Sequence, residues 1–162
     1  MELRFTDREE FDRLSLSDDL TNDNDLVIPM GGFGLPGIEG ASTILDHCQA
    51  SAYSHICCAT GTGTMMAGII NSVQPEQWVR GYSAVKNDSG LEENLKRLLP
   101  KKKCICHFST DRHFGGFAKF NEELICFMND LYKASGIPTD IVYTANLCFA
   151  VIEDMRAGVF SS

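Results

Sequence analysis

Four short apolar runs, each followed by a stretch with helical spacing, constrain this chain more than any other feature of its 162 residues. Leu26-Val27-Ile28, His55 to Thr60, Gln77 to Val85 and Lys103 to Ser109 have the length and residue types of strands. Between and after them, Ile38, Ala41, Leu45 and Cys48 within residues 37–51, the apolar stretch Thr64 to Val73, the trio Leu91, Leu95 and Leu98, and the series Phe117, Phe120, Leu124, Phe127 and Leu131 recur at helical spacing. Strands separated by helices of ten to fifteen residues can return parallel to one another, with the helices covering the sheet. The pattern predicts an α/β domain, a three-layer α/β/α arrangement with a mostly parallel sheet buried on both faces. In such sheets ligands bind beyond the carboxyl ends of the strands.

The boundaries carry their own signals. Thr6 with Glu9 and Ser89 with Glu92 have capping-box spacing, and Gly136 with Pro138 ends a helix. Asp140 to Met155 is a last helical pattern. Residues 17–25 are polar and read as a loop, so 1–25 form an N-terminal helix and loop ahead of an α/β core at 26–160, all within one domain, 1–162.

Charge and composition exclude several classes. The net charge is −8, and the one basic run is Lys101-Lys102-Lys103, so the overall field repels a phosphate backbone and no nucleic-acid partner is expected. No apolar stretch approaches the roughly 18 residues of a bilayer span, and Met1-Glu2-Leu3-Arg4-Phe5 lacks a signal-peptide layout. No membrane partner and a cytoplasmic location are expected. The seven cysteines then read as free thiols. Neither Cys57-Cys58 nor Cys104-Ile105-Cys106-His107 has C-x2-C spacing, and both lie in strand-like runs, so no metal site is predicted.

The stretch Thr60-Gly61-Thr62-Gly63-Thr64, between a strand and a helix, carries the chemistry. Glycines let backbone amides approach an anion, threonine hydroxyls add donors, and the helix N-terminus brings its positive dipole end. No Lys follows the glycines and G-x-G-x-x-G is absent, so this is neither a Walker loop nor a dinucleotide fingerprint. Taken alone, Gly and Thr here also serve as turn formers and caps.

Ordered blocks add to this motif. Asp25 to Gly40 (DLVIPMGGFGLPGIEG), Ala59 to Gly68, Phe108 to Glu122 (FSTDRHFGGFAKFNE) and Pro138 to Leu147 (PTDIVYTANL) together resemble the aminocyclopropane-carboxylate deaminase / D-cysteine desulfhydrase family, over nearly the whole chain and in the same order. The resemblance implies a tryptophan-synthase-β-like fold and pyridoxal 5'-phosphate (PLP) as cofactor. It implies a lyase or hydrolase of amino-acid metabolism acting on a small amino acid such as D-cysteine or aminocyclopropane carboxylate. A homo-oligomer is a further expectation. It places the cofactor phosphate on Thr60, Gly61, Thr62, Gly63 and Thr64, Tyr143 near the ring and Thr144 near the pyridine nitrogen, where a hydroxyl in place of a carboxylate leans toward the desulfhydrases.

The chain also departs from that family. Members are about twice as long, and this sequence begins after the segment with the Schiff-base lysine and the serine-asparagine pair, and stops before the histidine-threonine-glycine-glycine block. Its seven lysines (86, 96, 101, 102, 103, 119 and 133) lie in no stretch resembling the missing one. Met65 stands for a phosphate-binding threonine, Phe117 for a tyrosine, and Ala145-Asn146 for glycine-lysine. His113 sits in a polar loop without an identifiable partner and reads as a surface histidine. The expectation is a partial PLP-binding domain, truncated at both ends, with no catalytic residue of its own and inactive alone. The alternatives are a non-catalytic relative that binds a phosphorylated metabolite or a partner chain, and an unrelated α/β nucleotide-binding module.

Overall fold

A computed structural model describes residues 5–15, 27–85, 89–99, 106–109 and 114–160. Three strands, β1 (His55–Thr60), β2 (Trp78–Ser83) and β3 (Cys106–Ser109), form one sheet in the order β1-β2-β3, and both pairs run parallel. Cys58 faces Gly81 across the first pair and Gly81 faces Phe108 across the second. Connecting and flanking them are α1 (Arg8–Ser15), α2 (Leu35–Ser42), α3 (Thr64–Ser72), α4 (Ser89–Leu98), α5 (Glu122–Ser135) and α6 (Thr144–Arg156). The chain is a mixed α/β structure with a small parallel sheet.

Strand alternation sorts the side chains. Cys58 and Val79 are buried with Ile38 of α2, Met66 and Ile70 of α3, and Leu91 and Leu95 of α4. Cys57, Arg80 and Tyr82 face the other way, toward Asp154 of α6. Adjacent Cys57 and Cys58 therefore never converge, and burial pushes both thiols up, Cys58 to about 12. Neither offers a thiolate at neutral pH. Helices α2 and α3 touch closely enough that a Cβ at Gly68 would sit 2.4 Å from the Ala41 Cβ and 2.8 Å from the Ile38 carbonyl oxygen. Only glycine permits that crossing.

Several expectations from the sequence need correction. Val27 and Ile28 form no strand and are 56% and 76% exposed, while Leu26 lies outside the described residues. The run is apolar, but a strand also needs a ladder partner, and none of the described strands pairs with it. The helix expected over 37–51 is α2, which starts earlier and stops at Ser42, followed by two short 3-10 turns, Ile44–His47 and Ala50–Ala52. Thr43 ends it by turning both its N–H and its hydroxyl onto the Gly40 carbonyl. The helix expected from Phe117 begins only at Glu122, because Gly115, Gly116 and Ala118 have φ of 106°, 127° and 56°. Asn121 caps it by accepting the Leu124 N–H at 2.9 Å, and Phe117 and Phe120 stay outside, more than half exposed. At the N-terminus Asp7, not Thr6, caps α1, accepting the Glu10 N–H at 2.8 Å. The last helix starts at Thr144, not Asp140. The strand residues 103–105 and the loop residues 111–113, His113 among them, lie outside the described set.

Below α6 the sheet carries a buried charged cluster. The Tyr82 hydroxyl donates to Asp154 Oδ2 at 2.8 Å, and Arg80 Nε lies 3.2 Å from the same oxygen, an ion pair whose N–H is not aligned as a hydrogen bond. Burial, then the acceptor carboxylate, pushes the Tyr82 phenol well above its usual range. The Arg80 guanidinium also packs over the Tyr82 and Phe160 rings, 5.8 Å from each centroid. Removing the carboxylate strands a largely buried cation, which typically costs about 3–5 kcal/mol. Asp154→Ala is expected to lose that much in urea unfolding, and Arg80→Met in the same chain to recover part of it. A loss below about 1 kcal/mol would show that the cluster does not hold α6 to the sheet.

Candidate functional site

At the carboxyl end of β1 the chain turns through Gly61, Thr62 and Gly63 into α3. Gly63 caps the helix with φ 89°, and a Cβ there would meet Leu91 Cδ1 at 3.0 Å and Leu95 Cγ at 3.3 Å. The turn therefore needs glycine for conformation and for room. From α4, Asn94 Nδ2 donates to the Thr62 carbonyl at 3.3 Å, and the Thr62 and Thr64 hydroxyls lie 3.0 Å apart in a mutual hydrogen bond.

Among the described residues the backbone donors of this turn have no partner. The first bond of α3 runs from the Ala67 N–H to the Gly63 carbonyl, and among the described residues the N–H groups of Gly61, Thr62, Gly63 and Thr64 have no acceptor. The Thr60 side chain is 2% exposed, and its hydroxyl is buried without a partner among the described residues. Buried polar groups are normally satisfied, so donors left over at a helix N-terminus describe a place for an anion.

This turn forms one wall of a cavity of about 710 Å³. All seven residues singled out from the sequence, Thr60, Gly61, Thr62, Gly63, Thr64, Tyr143 and Thr144, line it, so residues eighty positions apart are brought together. Phe117 lines it as well, its ring edge-on to Tyr143 at 6.0 Å and 72°. The Tyr143 hydroxyl comes within 3.2 Å of where a Cβ at Gly61 would lie. Met65, 40% exposed, also reaches the cavity. Ala145 and Asn146 are buried beneath, with Asn146 Nδ2 donating to the Val142 carbonyl at 2.9 Å.

Lining residues that were not singled out from the sequence include Met30, Gly31, Ala59, Met66, Val85, Asn94 and Asp140. Asp140 organises the α6 wall. Its Oδ1 accepts the Val142 and Tyr143 N–H groups at 2.8 and 2.7 Å, and its Oδ2 accepts the Thr144 N–H at 3.0 Å and the Thr144 hydroxyl. The Asp140 N–H in turn donates to Thr144 Oγ1 at 2.7 Å. Asp140 thus braces the turn that leads into α6 and holds its first residue, Thr144, while Tyr143 occupies the cap position. An Asp four residues ahead of a helical pattern is the sequence signal that could have revealed this. Among the described lining residues, Asp140 and Tyr143 are the ionisable ones.

No protein-family model and no curated protein matches the sequence. Among solved structures the chain is similar to a crystal structure of an ACC deaminase homologue, with a TM-score of 0.64 and 19% identity. The likeness covers 96% of this chain and 53% of that one, so this chain spans about half the length of the structure it matches. At that identity the match shows a shared fold, the same one that the ordered sequence blocks imply.

Burial raises the Asp140 carboxyl, but the bonds from the Thr144 hydroxyl and from the Tyr143, Thr144 and Val142 N–H groups outweigh it and hold the group at about 2, below its ordinary 3.8. A depressed carboxyl stabilises the fold fully above the ordinary value and loses that contribution as pH falls through the native one. Asp140→Ala is therefore expected to melt below the parent chain at pH 6, with the difference shrinking between pH 3.8 and about 2. A difference that stays constant over that window would show that the carboxylate is not what braces the start of α6.

Proposed function

We propose that this chain is the phosphate-cradling portion of a PLP-dependent deaminase or desulfhydrase, with the three-layer arrangement of that fold, acting on a small amino acid such as D-cysteine or aminocyclopropane carboxylate. The observation that carries this reading is a set of donors without a partner among the described residues: four successive backbone N–H groups at Gly61 to Thr64 beside the buried Thr60 hydroxyl. These residues fit a phosphate monoester, which offers three oxygens to neutral donors and the α3 dipole. The fold likeness and the ordered sequence blocks make pyridoxal phosphate the phosphate ester of choice.

When bound, pyridoxal phosphate supplies a ring that withdraws electrons from an amino-acid carbon. This chain's residues bind and orient. The turn and Thr60 grip the phosphate, and Tyr143 braced by Phe117 gives the ring an aromatic wall. The amine that such chemistry requires is not among the described lining residues. The reading therefore requires a lysine from outside the described cavity. That same gap favours a second reading, a non-catalytic relative that uses the anion site to hold a phosphorylated metabolite.

Binding measurements test both. Pyridoxal phosphate is expected to bind at least about tenfold more tightly than pyridoxal, about 1.4 kcal/mol. Thr60→Val should weaken the phosphate ester by about fivefold, one neutral hydrogen bond of about 1 kcal/mol, while melting at or above the parent temperature, because it removes an unsatisfied buried hydroxyl. Equal binding of pyridoxal and its phosphate would overturn the phosphate assignment. With D-cysteine and pyridoxal phosphate, the chain alone is expected to release neither ammonia nor sulfide above the free-cofactor background. Turnover together with one lysine labelled by borohydride would place the missing amine within this sequence.

A further inference from the structure

Two threonines of the turn hold a hydrogen that the turn itself does not use. Thr62 Oγ1 and Thr64 Oγ1 lie 3.0 Å apart in a mutual hydrogen bond. Each hydroxyl has one hydrogen, so this bond consumes one of the two, and the other has no acceptor among the described residues. Both residues line the cavity, and Thr64 is buried. What fixes the pair comes from another element. The 3-10 turn Met30–Gly32, ahead of α2, lies directly against Thr62. A Cβ at Gly31 would sit 2.6 Å from Thr62 Cγ2 and 2.7 Å from Thr62 Oγ1, well inside van der Waals contact. Gly37 presses on the other threonine in the same way: a Cβ there would lie 2.8 Å from Thr64 Cγ2 and would also strike the Gly32 carbonyl oxygen. Gly31 has φ 65°, so glycine serves here both for conformation and for the space that the Thr62 side chain fills.

We propose that Gly31 is a positioning residue of the anion site: the space beside its Cα sets the rotamer of Thr62, so that the Thr62–Thr64 pair keeps its internal bond and turns its remaining hydrogen to the anion. This rests on the phosphate-site reading above. It adds one donor, held from outside the turn, to the four backbone amides and the Thr60 hydroxyl. A threonine side chain occupies staggered wells, so crowding at residue 31 makes Thr62 leave its well instead of shifting slightly. Leaving that well parts the Thr62 hydroxyl from Thr64, while the amides of the turn keep their places. Gly31 lines the cavity too, but an alanine there keeps the backbone N–H and changes only the space.

A double-mutant cycle on inorganic phosphate binding, measured by calorimetry, isolates the coupling. Gly31→Ala is expected to weaken phosphate by about fivefold, the loss of one neutral hydrogen bond. Thr62→Ala removes the hydroxyl together with the atoms that the new Cβ would strike, and should weaken phosphate to the same extent. The double variant should then bind as Thr62→Ala alone does, although it still melts lower because a non-glycine residue stands at φ 65°. Three-bond couplings of the Thr62 methyl should report one χ1 in the parent chain and a different one in Gly31→Ala. Gly31→Asn carries the same Cβ on a residue that tolerates positive φ, which keeps the test decisive if Gly31→Ala fails to fold. Losses that multiply, to about twenty-five-fold in the double variant, overturn the proposal, because Gly31 would then act independently of Thr62. So does parent affinity retained in both Gly31→Ala and Gly31→Asn. Either result leaves the phosphate site standing. Failure of inorganic phosphate to bind the parent chain overturns the phosphate reading and this inference with it.

Discussion

The unpaired backbone donors where β1 becomes α3 are what the surrounding structure is built to maintain. A helix start always leaves N–H groups without intrahelical acceptors, and a side-chain cap usually takes one or two of them. Here Gly63 stands at the cap position and has no side chain to do so. The turn is held by other means: Leu91 and Leu95 pack against Gly63, and Asn94 bonds the Thr62 carbonyl, not an N–H. The polar contact that fixes the loop thus consumes an acceptor and spares its donors.

That arrangement resolves an apparent conflict with charge. The chain carries a net charge of −8, yet the site proposed for it takes an anion. Neutral amides and hydroxyls act over a few ångströms, whereas the field of scattered surface carboxylates is screened within about 8 Å at physiological salt. Among the described lining residues the one carboxylate is Asp140, and its oxygens are engaged by the N–H groups of Val142, Tyr143 and Thr144 and by the Thr144 hydroxyl.

Much of this was legible in the sequence, and what was missed has physical causes. β1, β2, α3 and α4 were readable because periodicity and burial agree there: Leu91, Leu95 and Leu98 are all buried, and the strand residues alternate. The turn, named from its residues, and the pair Tyr143-Thr144, named from the family resemblance, line one cavity. Helix boundaries failed where apolar spacing continued through residues that cannot be helical. Phe117 and Phe120 fit the stripe of α5, but positive φ at Gly115, Gly116 and Ala118 excludes them. Val27 and Ile28 looked like a strand because they are apolar, and a strand also needs a neighbour. Asp140 was counted as a helix residue when its role is to stop short of the helix and bond its first turn. Asn94 gave no local signal, because its partner lies thirty-two residues away.

The central claim is that the turn at residues 61–64 binds phosphate through its backbone, and titrating inorganic phosphate into ¹⁵N-labelled chain measures it residue by residue. The amides of Gly61, Thr62, Gly63 and Thr64 should shift downfield together, saturably and with one common Kd, while those of α5 stay still. Shifts that saturate elsewhere, such as at the lysine run 101–103, with the turn unmoved, would contradict a phosphate site at the start of α3.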